Sequence, residues 1–415
     1  MKRKPHFLLL AFLSVCLLSV PIGCDREEAQ NEQVLRVGVI ASLSGPARPW
    51  GLVSVRCAQV IADYHNERGG VQIGDERVRI ELVVRDDGFN SWKAVSIAHE
   101  LSMDGVKYVI GPLGDGPADA AAGVLDSAGA LYVHYGFNQL TQSPDSLGLL
   151  GMPLPKQSLP LLCRHLRNEQ DVGNVLVMAY GTDQGIRQKK TAERLAIEGG
   201  LELVRLARFD VSEETFDVSL NLETIQRRVE RVVEAGPDSL IVAGCPPEAF
   251  VVLLEHLRSG GYEGFIGTQN YQDADLLASL GDASDLVYYV GGAPTDDLRS
   301  AYYEDLKARY LTLADTWSGE ADTKLYALET ILACLRAAGQ EALERTSAIR
   351  DIVPNFRFED PFYAQSRQVS IIGGSGDGRL RQIQTPIRIS KMSEGRSLLV
   401  KETLLETPPV YENFN

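Results

Sequence analysis

The sequence predicts an α/β protein made of two doubly wound parallel-sheet lobes. Short runs rich in β-branched residues, typical of strands buried on both faces, alternate with segments of helical apolar spacing. This alternation occurs twice, before and after a proline-punctuated stretch at residues 151–156. The length of 415 residues is long for one domain and agrees with two.

The first predicted strand leads into a loop with polar and aromatic side chains. Residues 34–40 form a short apolar run, and glycines and prolines between residues 45 and 51 then interrupt regular structure. In doubly wound folds, ligand-facing groups lie in loops at the carboxyl ends of the strands. Ser42, Ser44 and Trp50 are therefore candidates for contact with a ligand.

The first half of the chain predicts a βαβαβαβ series. The predicted strands are 34–40, 78–84, 107–110 and 131–134, and the predicted helices are 52–66, 92–103 and 118–127. The glycine-rich loop at 111–117 and the segment 135–138 follow the third and fourth strands. Both are expected at the same sheet edge as the Trp50 loop.

The second half repeats the alternation in a lobe of similar size. Its predicted strands are 174–179, 202–208, 239–243, 264–268 and 286–290, and its predicted helices are 158–167, 189–198, 222–235 and 249–259. Two long helical stretches, 297–311 and 323–338, are expected to be outer helices that complete the first lobe. Late strands at 368–372 and 387–391 are joined by a glycine-rich turn, and the tail from residue 408 is expected to be loose.

Composition and motifs exclude several function classes. The net charge of −15 and the pI near 5.0 argue against a nucleic-acid partner. There is no P-loop, no HExxH and no GxSxG, since GGSGDG has Asp377 where the last glycine is required. The histidines do not cluster with cysteines or carboxylate pairs at ligand spacing. We therefore expect no enzyme activity, no metal and no cofactor.

The N-terminal segment is expected to direct export. A basic start and an apolar run at 7–20, too short for a comfortable membrane span, precede Cys24. The pattern resembles a bacterial lipoprotein signal, which implies a signal peptide over 1–23, lipid on Cys24 and a tether over 24–33. Pro21 stands where such signals usually have Leu, so plain secretion and a retained anchor stay open. Asp25 resembles an inner-membrane retention signal, which implies a periplasmic protein anchored to that membrane.

Four further cysteines are far apart in the sequence: Cys57, Cys163, Cys245 and Cys334. Export permits disulfides, but the spacing favours none of the three possible full pairings. We expect buried free thiols.

Several segments in order carry a family resemblance. They are VGVIASLSGPARPWG, ADYHNERGGV, VVRDDGFNSWKAV and DGVKYVIGPL in the first half, and AGPDSLIVAG and LYALETILACLRAAG later. Over about residues 34–389 the chain resembles the type I periplasmic binding proteins of the branched-chain amino-acid class, the solute receptors of ABC importers. The resemblance implies two lobes joined by three hinge crossings, with the ligand in the cleft between them. The lobes would be 34–157 plus 293–372, and 158–292 plus 373–415.

The resemblance also implies candidate ligand-binding positions: Ser44, Trp50, Gly114, Asp115, Phe137, Asn138, Gln184, Cys245 and Gln269. In amino-acid-binding members, hydroxyl side chains and backbone amides hold the carboxylate, and an acidic residue of the second lobe holds the ammonium. Here Gly114 and Asp115 stand where Ser or Thr is usual, and Gln269 takes the acidic position. We therefore expect a ligand other than an ordinary branched-chain amino acid.

Some of these positions have structural alternatives. Trp50 could pack at the edge of a lobe, Asp115 could cap the following helix, and Cys245 could be a core thiol. Asp86 and Asp87 are expected to end a strand and cap a helix rather than contact solute.

Taken together, the sequence predicts an extracytoplasmic solute-binding lipoprotein. It would be a monomer that captures a small polar solute, amino-acid-like, amide or related, and delivers it to an ABC permease in the inner membrane. The alternative is a ligand-sensing or regulatory protein on the same fold, because fold alone does not fix the role.

Overall fold

The computed structural model describes residues 33–404, apart from positions 46, 137–144, 207–210, 270, 271, 273, 292, 293, 295 and 374–380. The predicted signal peptide, Cys24, Phe137, Asn138, the glycine-rich turn and the tail from residue 408 lie outside the described residues. Within the part that is described, no helix combines the length and the apolar character needed to cross a membrane.

Strands and helices alternate along most of the described chain. The strands are β1 (Gln33–Ala41), β2 (Val71–Ile73), β3 (Glu76–Asp86), β4 (Tyr108–Leu113), β5 (Leu131–Tyr135), β6 (Leu147–Leu150), β7 (Asn174–Tyr180), β8 (Glu202–Val204), β9 (Thr215–Phe216), β10 (Ser239–Ala243), β11 (Phe265–Thr268), β12 (Val287–Val290), β13 (Arg357–Glu359), β14 (Gln368–Ile372), β15 (Gln382–Ile383), β16 (Pro386–Ser393) and β17 (Arg396–Leu404). The helices are α1 (Arg48–Glu67), α2 (Ser91–Met103), α3 (Asp115–Ser127), α4 (Pro155–Glu169), α5 (Asp183–Glu198), α6 (Leu222–Ala235), α7 (Pro247–Ser259), α8 (Ala274–Ala278), α9 (Ala301–Leu313), α10 (Ala321–Ala338), α11 (Glu341–Glu344) and α12 (Ser347–Arg350).

The strands form two sheets. The first has the order β13-β14-β15-β6-β5-β4-β1-β3-β2, and the second has the order β17-β16-β12-β11-β10-β7-β8, with β9 paired to β7. The central strands of both sheets are parallel, as the βα alternation predicts. Antiparallel pairs occur towards the edges, where β2 meets β3 and where β16 lies between β12 and β17.

The chain passes between the two sheets three times: after β6, after β12 and between β15 and β16. The sequence predicts that the second lobe resumes after residue 372, whereas Gln382–Ile383 still pairs in the first sheet. Backbone and side-chain bonds hold this strand there: Leu150 N donates to Arg381 O at 2.8 Å, and Gln382 Nε2 donates to Met152 O at 2.8 Å. The late strands β14 and β16 therefore lie in different sheets.

Helix α10 corrects one prediction. The sequence suggested an outer helix, but the residues from Ala321 to Leu335 are all buried, and α10 packs against α1. Apolar side chains occur all round this helix, which is the pattern of a helix enclosed by its neighbours. Several of its polar residues are held by specific partners; for example, Glu329 accepts a hydrogen bond from Tyr302 and pairs with His65 at 3.3 Å.

Both faces of the second sheet are covered. Along β7, Leu176 and Met178 belong to the apolar cluster formed with α6 and α7. The intervening Val175 and Val177 belong to the cluster formed with α4 and α5. Because successive side chains of a strand point to opposite faces, the continuous apolar run predicts this burial on both sides.

Helix α1 lies unusually close to the loop after β1. A Cβ atom on Gly51 would lie 2.0 Å from the backbone oxygen of Ser42, far inside contact distance. The glycine therefore permits the close approach that places the first turn of α1, with Trp50, beside the carboxyl end of β1.

We expect Gly51→Ala to destabilise the fold by about 1–3 kcal/mol, because the added methyl group overpacks against backbone. Gly123→Ala is the matched control: this exposed position in α3 has nothing within 4 Å of an added Cβ. The control should raise stability by about 0.5–1 kcal/mol through helix propensity. Urea unfolding of both variants measures the difference, and equal effects would contradict the close approach.

A buried ionic cluster joins the two sheets. Arg388 on β16 donates through Nε to Glu402 on β17 at 2.9 Å and through its guanidinium to the Tyr363 hydroxyl. Arg367 Nη1 donates to the other oxygen of Glu402 at 2.7 Å. Tyr363 and Arg367 lie between β13 and β14 of the first sheet, so this cluster spans the third passage of the chain.

Glu402 gives the cluster a pH dependence. Burial alone would raise the pKa of Glu402, but Arg388 and Arg367 outweigh it and hold the pKa below its usual range. A carboxyl group with a lowered folded-state pKa contributes stability above its unfolded pKa of about 4.3 and loses it as pH falls through the folded value.

We expect Glu402→Gln to lower the free energy of unfolding at pH 7 by about 2–3 kcal/mol, because Arg388 and Arg367 lose the carboxylate that they share. The loss should shrink as pH falls below about 4.3, because the carboxyl group then takes up a proton in the unfolded chain before it does so in the folded protein. Thermal unfolding at pH 7 and pH 3.5 measures this. Exposed Glu255 on α7 is the control position, and a Glu255→Gln effect of the same size and pH dependence would refute the assignment.

Candidate functional site

Two aspartates organise the loop that follows β1. Ser44 Oγ donates to Asp86 Oδ2 and Leu43 N donates to Asp86 Oδ1, each at 2.7 Å. Ser42 Oγ donates to Asp87 Oδ1 at 2.7 Å, and burial raises the pKa of Asp87. Asp86 ends β3 as predicted, whereas Asp87 does not cap α2: that role belongs to Asn90, which accepts from Lys93 N. The exposed Ser44 is thus held at the loop by Asp86.

Gly114 and Asp115 lie where β4 turns into α3. Gly114 has φ +83°, and a Cβ atom there would lie 2.3 Å from the Phe89 ring, so the turn requires glycine. Gly114 occupies the N-cap position and Asp115 is the first helical residue. Asp115 is buried and is not the cap of α3. A negative charge in the first turn interacts favourably with the helix dipole and so stabilises the start of the helix.

A cavity of about 170 Å³ lies between elements that follow strands of both sheets. We name it the α1–α7 cavity, after the two helix beginnings that meet there. Its wall consists of Arg48, Pro49, Trp50, Leu52, Val53, Arg56, Pro247, Glu248, Gln272, Leu276, Tyr310, Thr316, Ser318 and Glu320. Trp50, a candidate from the sequence, therefore lies on the wall of a cavity that both halves of the fold build.

Neutral amide groups lie beside the second sheet's carboxyl edge. Gln272 is 1% exposed and lines the cavity, and neither polar atom of its side chain has a partner among the described residues. Gln269, directly after β11, donates through Nε2 to Gln188 Oε1 at 3.0 Å. This bond leaves Gln269 Oε1 and Gln188 Nε2 without described partners. Buried polar atoms of this kind are normally satisfied in proteins.

The first-sheet side of the cavity contains a buried ion pair. Glu320 lines the cavity, is 4% exposed, and lies 3.0 Å from Lys324 Nζ. Lys324 Nζ also lies 3.2 Å from the centroid of the Tyr135 ring. Burial raises the pKa of Glu320 and lowers the pKa of Lys324, because it penalises both charged forms. The second oxygen of Glu320, Oε2, has no hydrogen-bond partner among the described residues.

Of the described candidates, only Trp50 lies on this wall; the others are not part of it: Ser44, Gly114, Asp115, Gln184, Cys245 and Gln269. Cys245 is fully buried within the apolar cluster of α6 and α7, and burial raises the pKa of its thiol. Gln184 lies in the first turn of α5, and its side chain is outside what the structure describes. All four cysteines of the described chain are buried and free, as expected.

Sequence reasoning missed Gln272, Gln188 and Glu320. Gln272 lies three residues beyond Gln269 in a loop already singled out, so the loop was a usable signal. Glu320 belongs to no recognisable motif. It is buried because it directly precedes α10, which its neighbours enclose. Its i,i+4 spacing to Lys324 was visible but is equally common on solvated helix faces.

The site is suited to binding a small molecule. Within the described ranges, no group of three or more His, Cys, Asp or Glu side chains could hold a metal ion. The wall combines aromatic and aliphatic surface with a few buried polar atoms, which is how proteins orient small ligands.

Comparisons with known proteins agree with this geometry. Residues 34–388 match a family model described as periplasmic binding protein. The Leu/Ile/Val-binding protein of Citrobacter freundii is 34% identical over 288 residues, which are 69% of this chain and 72% of that protein. The relatives carry the names of binding proteins rather than enzymes.

Solved structures show the same fold. The substrate binding protein LivJ from Streptococcus pneumoniae, in complex with isoleucine, superposes with a TM-score of 0.68 at 17% identity, covering 91% of this chain and 100% of that one. A solute binding protein from Rhodopseudomonas palustris, in complex with benzoate, has a TM-score of 0.69 at 13% identity, covering 91% and 98%. The predicted type I fold is confirmed, and the chain belongs to the periplasmic binding protein family.

Proposed function

We propose that this protein binds a small polar solute in the α1–α7 cavity and delivers it to an ABC permease. The observation that carries the proposal is a cavity whose wall comes from both sheets and holds buried polar atoms with no described partner. A solute that satisfies Gln272 and Glu320 would bridge the two halves of the fold. Binding would then favour the closed arrangement, as in hinge-type receptors.

The size and lining of the cavity limit the solute. The volume of about 170 Å³ is below the ~300–1,000 Å³ typical of drug-sized ligand pockets, so the solute is small. Trp50 and Tyr310 offer aromatic surface, while Gln272 and Glu320 offer hydrogen bonds from opposite sides. Among the related proteins, one is named for leucine, isoleucine and valine, and one structure contains benzoate, so this fold accommodates different small solutes.

Family membership implies an extracytoplasmic location. We further propose that lipid on Cys24 anchors the protein to the inner membrane, that residues up to 33 act as a tether, and that the protein is a monomer. The support is the sequence alone: the apolar run before Cys24 and the Asp25 that follows it. The lobe boundaries near residues 157 and 292 are likewise proposed, with the third boundary after Ile383 rather than near residue 372.

We likewise propose the remaining candidate residues as ligand contacts. Ser44, Gly114 and Asp115 would rim the cleft from the first sheet, and Gln184 and Gln269 from the second. Cys245, a further candidate, is a buried core thiol and would contribute only from beneath this rim. Phe137 and Asn138, outside the described residues, would join them. The support is the position of these residues after the strands of a doubly wound fold.

A thermal-shift screen against amino acids, amides, polyamines and aromatic acids tests the function. A solute at 100 times its Kd should stabilise the protein by about 2.7 kcal/mol and raise Tm by several degrees. No shift with any class would count against solute binding.

Tryptophan variants locate the binding event. Trp50→Ala should raise the Kd of the selected solute at least tenfold, because an aromatic wall of the cavity is removed. Trp92→Ala is the matched control, since Trp92 on α2 is 84% exposed and lies outside the cavity wall. Equal losses of affinity in the two variants would place the solute elsewhere.

A further inference from the structure

The polar atoms left open around the α1–α7 cavity are mostly those of neutral amides. Gln272 lines the cavity and offers both a donor and an acceptor. Gln188 and Gln269 are not part of the wall; among the described residues they leave one open donor and one open acceptor beside the second sheet's carboxyl edge. All three side chains are more than nine-tenths buried. A buried donor or acceptor without a partner destabilises the protein, so a bound group that satisfies both open atoms of Gln272 gains from each of them.

The buried charges beside the cavity compensate each other. Glu320 lies 3.0 Å from Lys324 Nζ, and both side chains are buried. The other charged residues of the wall are exposed or half-buried: Arg48, Arg56 and Glu248. A ligand with a net charge would bring a charge into this enclosure that has no dedicated buried counter-ion.

We infer that the solute is uncharged and carries a primary carboxamide or ureido group, recognised by Gln272 and Glu320. This inference rests on the proposed function and narrows its solute class. The two N–H groups of the amide would donate to Glu320 Oε2 and Gln272 Oε1. The amide oxygen would accept from Gln272 Nε2.

The same geometry disfavours close analogues. A carboxylate in place of the amide has no N–H to give and would place its negative charge beside Glu320 Oε2. An ammonium group cannot accept from Gln272 Nε2, and Lys324 already neutralises Glu320. Sites built to hydrogen-bond a substrate N–H group discriminate strongly against analogues that lack it, because the buried partners stay unpaired.

Calorimetric titration of the purified protein at pH 7 with benzamide, benzoate, benzylamine and leucine tests the inference. An engineered cavity of about 150 Å³ accommodates benzene, so these probes are of suitable size for this site. Benzamide should bind with a Kd at least tenfold below those of the other three. A Kd for any of them equal to or below that of benzamide overturns the inference, and so does a lack of measurable benzamide binding.

The outcomes separate the inference from the proposed function. Tighter binding of leucine or benzoate removes the carboxamide assignment and leaves solute binding intact. The function itself fails only if no class in the wider thermal-shift screen binds.

Substitutions at Gln272 test the recognition directly. Gln272→Glu faces Glu320 with a second carboxylate, so benzamide affinity should fall at least tenfold and benzylamine affinity should rise. Gln72→Glu, on the exposed face of β2, makes the same chemical change away from the cavity and should alter neither. Gln272→Asn keeps the amide uncharged but shortens the side chain, and it should also weaken benzamide binding at least tenfold. This variant takes the place of Gln272→Glu if the latter does not fold. Unchanged benzamide binding in a folded Gln272 variant would overturn the inference.

Discussion

The arrangement of the two sheets depends on the buried ionic cluster at the third passage of the chain. Arg388 lies on the second sheet, and its partner Tyr363 belongs to the segment between β13 and β14 of the first. A buried guanidinium is tolerable only with compensation, which Asp322 supplies from the first sheet's side and Glu402 from the neighbouring strand. The cluster therefore fixes β16 and β17 relative to the first sheet at the point where only two residues, 384 and 385, separate β15 from β16.

The cavity follows from how helices begin in this fold. Helix α1 follows β1 and α7 follows β10, so both begin at carboxyl edges of their sheets, where doubly wound folds place ligand groups. Gly51 lets α1 approach Ser42, and this sets the position of Trp50 on the wall. The start of the enclosed helix α10 brings Glu320, with its partner Lys324, to the opposite side of the cavity. The close packing at Gly51 and the enclosure of α10 therefore determine which side chains face one another across the cavity.

Much of the fold could be predicted from the sequence, but less of the site. The apolar runs of β1, β7 and β10 are unmistakable because strands buried on both faces need continuous β-branched residues. Strands β6 and β15 were missed because they are short, and β15 pairs with segments far away in sequence. The α10 helix was misplaced at the surface because its charged residues look solvated until Lys324 and Glu320 are seen to pair. Trp50 was found because glycine and proline mark its loop. Gln272 was missed because its loop was singled out only at Gln269 and no residue beside Gln272 indicates that its side chain is buried.

The central claim is that the α1–α7 cavity encloses a solute between the two halves of the fold. A crystal structure of the protein grown with benzamide tests this most directly. The account predicts electron density for the ligand against Trp50, with its amide group within hydrogen-bond distance of Gln272 and Glu320. Two results would contradict it: ligand density elsewhere on the protein with only water in the cavity, or ligand in the cavity with Gln272 and Glu320 turned away from its amide group.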